Sequence, residues 1–149
     1  MNISLSTNAK WLGFASGLAL WNACPMPAQA CVITFETAAL GVLAPIGNPA
    51  TGFTSLPAQA GTPKNIILDC WAPTQLSVSA VTQQAGPSVT LLPTSSASVT
   101  LGTQTATSSG GSIGLSLGPN TVVTNLTVNA SAALPSGTYQ FNTVLTLTP

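Results

Sequence analysis

The chain has 149 residues, of which only 3% are charged: two Lys or Arg, two Asp or Glu and no His, for a net charge of zero at pH 7. About a quarter of an average soluble domain is charged, so this surface depends on Ser, Thr, Asn and Gln for its hydration. The length allows one domain, and without a basic stripe nucleic-acid binding through phosphates is excluded. Such a composition suits an exported protein that packs closely against copies or partners.

In chain order the first predicted feature is a secretory signal peptide over residues 1–30. Lys10 supplies the only early positive charge, residues 11–21 are apolar, and "NACPMPAQA" ends in an A-x-A pattern that sets cleavage after Ala30. The apolar run is shorter than the roughly 20 residues needed to span a bilayer. Ala28 fits poorly as the apolar residue three before a lipidated Cys31. Cleavage removes Cys24 and leaves residues 31–149 with Cys31 and Cys70, which in an exported domain most simply form one disulfide. The loop it closes is about 40 residues long, worth on the order of 4 kcal/mol by chain entropy.

The rest of the chain alternates apolar and polar residues, broken by Gly, Pro, Asn and Ser, with no helical period. Cys31, Ile33 and Phe35 share one face of a first strand. A Gly/Pro-rich connection follows over residues 41–63, with a short strand near Val42 and Leu43. Ile66, Leu68 and Cys70 alternate in "KNIILDC", then Leu76, Val78 and Ala80 in "QLSVSAV". Val89 with Leu91, and Val99 with Leu101, mark two shorter strands. "TSSGGS" at 107–112 is a loop. Ile113, Leu115 and Leu117 come next, then Val122, Thr124, Leu126 and Val128, and finally Tyr139, Phe141, Leu145 and Leu147. Seven or eight short strands at this spacing predict an all-β sandwich with Greek-key connections.

Enzyme chemistry is excluded by what is missing. With no His there is no catalytic triad, no activated thiol and no ordinary zinc site. No phosphate loop or dinucleotide fingerprint occurs, so neither a metal nor a small-molecule cofactor is expected. Glu36 and Asp69 are the only carboxylates. With Cys31 opposite Cys70, Glu36 falls opposite Asn65 beside Lys64, and Asp69 falls opposite Val32. About 13 Å of strand then separates the two carboxyl groups, more than the roughly 5–9.5 Å of a glycosidase pair. Glu36 and Lys64 read instead as a surface ion pair. Trp71 reads as cover for the disulfide rather than a ligand platform, and Tyr139 as a strand-leading tyrosine whose hydroxyl caps a turn. The sequons at Asn125 and Asn129 read as chance matches in a Ser/Thr-rich chain.

Cys31, Phe35, Cys70 and the ending "LPSGTYQFNTVLTLTP" (residues 134–149) together resemble the spore coat protein U domain, the pilin-like unit of archaic chaperone–usher fimbriae. The resemblance covers nearly all of residues 31–149. It implies an incomplete immunoglobulin-like, pilin-like sandwich that lacks its last strand. A periplasmic chaperone and then, through the usher, a neighbouring fimbrial subunit would complete it by strand addition. The implied acceptor groove has Tyr139, Phe141, Leu145 and Leu147 on one wall, and Ile33 and Phe35 of the Cys31 strand on the other. The implied function is a non-enzymatic structural subunit, exported to the periplasm and then to a surface fibre. A polymerising subunit carries a donor segment ahead of its first Cys, and cleavage after Ala30 leaves none. That departure fits a subunit at the end of a fibre, a family member with another surface role, or a start or cleavage site elsewhere. The alternative expectation is a stand-alone secreted adhesin that binds a surface or glycan through the loop at residues 47–61.

Overall fold

A computed structural model describes residues 2–7, 30–36 and 41–149. Most of the predicted signal segment lies outside the described residues, as do residues 37–40 and the side chain of Glu36 needed for its expected pairing with Lys64.

The described residues form short strands joined by turns, with one 3-10 turn at Pro57–Gln59. The strands are β1 (Asn2–Thr7), β2 (Cys31–Glu36), β3 (Ala44–Ile46), β4 (Gly52–Thr54), β5 (Lys64–Cys70) and β6 (Thr74–Val78). They continue with β7 (Thr82–Ala85), β8 (Ser96–Leu101), β9 (Gln104–Thr107), β10 (Ile113–Leu115), β11 (Gly118–Asn129) and β12 (Gln140–Thr148). Two sheets result. In the first, the order is β1-β12-β6-β10, and β7 pairs with the start of β12. In the second, β2-β5-β11 is extended by β4 and β3 where β5 leaves off along β11, while β8 and β9 lie on β11's other edge. Every pairing is antiparallel except that of β1 with β12.

Period-two alternation explains the core. Leu76, Val78, Ile113, Leu115, Phe141, Leu145 and Leu147 from the first sheet join Ile66, Leu68, Val99, Val122, Leu126 and Val128 from the second in one buried cluster. This is the arrangement of a β-sandwich, each sheet lending one face to a shared interior. Each fully buried aliphatic side chain contributes roughly 1.5–3 kcal/mol of burial free energy. Between β8 and β9, Leu101 pairs with Gln104 across a two-residue loop whose Gly102 has φ 59°, the left-handed backbone that such hairpins need.

Cys31 lies directly opposite Cys70 across β2 and β5, and the two are joined as a disulfide. Val32 pairs with Asp69 as the spacing predicts, but the register then shifts. Ile33 pairs with Leu68 and Phe35 with Ile67, leaving Thr34 as the extra residue of a bulge, its hydroxyl donating to the Ile67 carbonyl. Glu36 consequently stands opposite Ile66, not Asn65, the one-residue offset that a bulge introduces. Lys64, expected at the surface, is buried on the β5 row of Ile66 and Leu68.

Two other strands stop earlier than alternation predicts. β10 ends at Leu115 because buried Asn120 folds residues 116–118 back on themselves: its Nδ2 donates to the Ser116 and Gly118 carbonyls, and its Oδ1 accepts from the Ser116 amide. Leu117 is therefore 65% exposed. β6 ends at Val78, where the Ser79 hydroxyl accepts the Val144 amide and the Thr143 hydroxyl donates to the Ser79 carbonyl. One extra residue is absorbed between Val78 and Thr82 relative to Leu145 and Asn142. Ala80 turns outward and Val81 takes the buried position. Val89 and Leu91 form no strand; Leu91 makes one isolated bridge to Ala130.

Candidate functional site at the edge of the last strand

β12 alternates without a break. Phe141, Thr143, Leu145 and Leu147 are buried, and Asn142, Val144 and Thr146 lie on the opposite face, half-buried. Thr143 fits the interior because its hydroxyl is satisfied by the Ser79 carbonyl at 2.7 Å, as a buried donor must be. One edge of β12 is used by β6 over Leu145–Thr148 and by β7 over Gln140–Asn142. The other edge is taken by β1 alone among the described strands. Its register runs from Asn2 opposite Asn142 to Thr7 opposite Leu147. β1 itself pairs with nothing else. By register, Ile3 and Leu5 fall level with Thr143 and Leu145. The sequence pattern predicts no strand over residues 2–7, which fall within the predicted signal segment.

At the head of β12 three rings meet. Tyr139 and Phe141 stack with planes 4° apart and centroids 6.2 Å apart, and Phe53 of β4 lies 5.2 Å from Tyr139 and 6.0 Å from Phe141. Phe53 thus ties the second sheet to the first. Offset and tilted pairs of this kind add about 0.5–1.5 kcal/mol each beyond burial. The Tyr139 hydroxyl donates to the Pro135 carbonyl and caps the turn before the strand, the role expected for it. Beside the rings is a pocket of about 210 Å³ lined by Gly41, Leu43, Phe53, Gly137 and Tyr139. Phe53 carries no alternation signal in the sequence because it sits inside a Gly/Pro-rich connection; the loop expected over 47–61 contains β4 and the 3-10 turn.

The residues expected to line a groove divide between the sheets. Phe141, Leu145 and Leu147 are buried on β12, Tyr139 is half-buried just before it, and Ile33 is half-buried on β2. Phe35 stands in β2 opposite Ile67, and its side chain lies outside the described residues. Trp71 does not shield the disulfide as expected: 58% of it is exposed, and its backbone amide donates to the Ala30 carbonyl. The two sequon asparagines are half-buried within β11. Asn129 donates to Thr94, and the Asn125 Oδ1 is covered. Among the described residues no three His, Cys, Asp or Glu groups come together as a metal site.

No family model, curated protein or solved structure matches the chain.

Proposed function

We propose that this chain is an exported, non-enzymatic structural subunit of a fimbria-like surface fibre, and that it takes up a partner's strand along the edge of β12. In this reading residues 31–149 are an incomplete immunoglobulin-like, Greek-key sandwich of the spore coat U type. The partners are a periplasmic chaperone, an usher and neighbouring subunits. The observation that carries the reading is the pairing of β12 with β1, a segment distant in sequence that pairs with no other described strand. A nine-residue strand with a buried row on one face and an edge that pairs with a non-contiguous segment has the chemistry of strand addition. Main-chain hydrogen bonds supply affinity, and alternate side chains supply selectivity.

The test is to export the full chain into a bacterial periplasm, sequence the N-terminus of the product, and titrate it with a labelled peptide of alternating apolar and polar residues. The expected result is a start at Cys31 and saturable peptide uptake that raises the melting temperature. A stable monomer that ignores the peptide overturns the proposal.

The pocket at Leu43, Phe53 and Tyr139 favours a second reading, a stand-alone adhesin that binds a surface or glycan beside the aromatic cluster. Surface binding that persists without any peptide uptake, and is lost in Phe53→Ala, would select it.

A further inference from the structure

We infer that β1 is an internal latch: the segment Asn2–Thr7 closes the β12 edge while it remains attached, and a partner strand enters only when β1 is displaced or lost. The inference rests on the strand-acceptor reading and adds its regulation. Three observations carry it. First, β1 occupies the edge position from Asn142 to Leu147 through a continuous six-pair register, so an incoming strand has to use the same backbone donors and acceptors. Second, β6 and β7 hold the opposite edge of β12, leaving no other place beside this strand. Third, "NISLST" alternates in step with β12, its Ile3 and Leu5 level by register with buried Thr143 and Leu145, and its Ser4 and Ser6 level with half-buried Val144 and Thr146.

Tethering gives the latch its advantage. A segment on the same chain pairs in a unimolecular step, whereas a free strand must find the edge by diffusion. The latch pairs with no other described strand, so its release leaves the ladder of β12 with β6 and β7 in place. A closed edge also guards against pairing with the wrong chain, since an open strand edge is a template for aggregation. Loss of residues 1–30 by cleavage after Ala30 would make the opening irreversible.

The experiment uses the full chain with its leader retained and its disulfide oxidised, and a fluorescein-labelled peptide of residues 1–10 as probe. Two variants open the latch by different means. Ile3→Asp with Leu5→Asp places charge level with buried Thr143 and Leu145, and Ser4→Pro removes a backbone donor from the segment. Amide hydrogen exchange in β5 and β11 reports whether each variant stays folded, and exchange over residues 143–147 reports the edge. The expected result is negligible uptake by the unmodified chain at about 100 µM peptide, and uptake at least about tenfold tighter in both variants, with faster exchange confined to the edge. Equal uptake by variants and unmodified chain overturns the latch and leaves the acceptor reading standing. Uptake by a chain processed to Cys31 but by neither folded variant also overturns it, because some other part of the leader would then close the edge. Uptake by none of them, the processed chain included, removes the acceptor reading itself.

Discussion

Replacing Asn120 with alanine should cost the domain about 2–4 kcal/mol. Only 3% of Asn120 is exposed. Its Nδ2 donates to the carbonyls of Ser116 and Gly118, each at 2.8 Å, and more weakly to that of Leu68 at 3.4 Å. Its Oδ1 accepts from the Ser116 amide at 3.1 Å and the Ser116 hydroxyl at 3.2 Å. A typical hydrogen bond contributes about 1 kcal/mol net, and more is lost when a buried partner is left unmet. Three of the five, the two short bonds from Nδ2 and the one from the Ser116 amide, are well formed by distance. Ser116 is exposed, however, and water recovers part of what its groups lose, which sets the upper end of the estimate. Asn120→Asp separates the donor from the acceptor. It keeps the size and the Oδ1 but turns a carboxylate toward three carbonyl oxygens, so at neutral pH it should be less stable than the alanine variant. Urea denaturation followed by intrinsic fluorescence gives both values, with an unchanged slope confirming that the midpoint reports stability. The reasoning is refuted if Asn120→Ala stays within about 0.5 kcal/mol of the parent, or if Asn120→Asp equals the parent.

Three further outcomes follow from the same structure. Reducing the Cys31–Cys70 disulfide, whose cysteines are 39 residues apart, should lower stability by about 4 kcal/mol, seen as a drop in urea midpoint when reductant is added. Gly86→Ala should destabilise by about 1–3 kcal/mol and disturb the Tyr139 signal in near-ultraviolet circular dichroism; its φ is 106° and a Cβ there would lie 2.4 Å from the Thr138 carbonyl oxygen. Trp71→Ala should change stability by less than about 0.5 kcal/mol and leave the rate of disulfide reduction unaltered, whereas an accelerated reduction would restore the shielding role that its exposure argues against.

The legible parts of the fold are those where burial on one face forces alternation. Ile66, Leu68 and Cys70 on β5, and Val122, Thr124, Leu126 and Val128 on β11, are buried as their spacing predicts. The disulfide pairing and the register of Val32 with Asp69 follow from the same logic. What escaped was structure held by hydrogen bonds rather than by apolar pattern. β7 ("TQQA") and β9 ("QTAT") carry almost no apolar signal, and they are strands because β12 and β8 offer them backbone partners. The bulge at Thr34 and the extra residue between Val78 and Thr82 re-phase their strands without any change in the side-chain rhythm, so that Val81 rather than Ala80 takes the buried position. At the candidate site, β12 was readable from "YQFNTVLTLT". Its neighbours were not, since Phe53 is hidden in a turn-rich stretch and β1 lies in a segment whose composition reads as a leader.

The bulge in β2 has a consequence for how these molecules can stack. Among the described strands, most edges are poor templates: β2 is kinked at Thr34, β3 has three residues including Pro45, β10 has three, and β7 and β9 have four each. Short, kinked or proline-bearing edges resist pairing with a foreign chain. β12 is long and straight by comparison, and the strand beside it runs parallel to it. The place beside β12 therefore has a direction as well as a position: the segment seated there runs the same way as its host through a six-pair register.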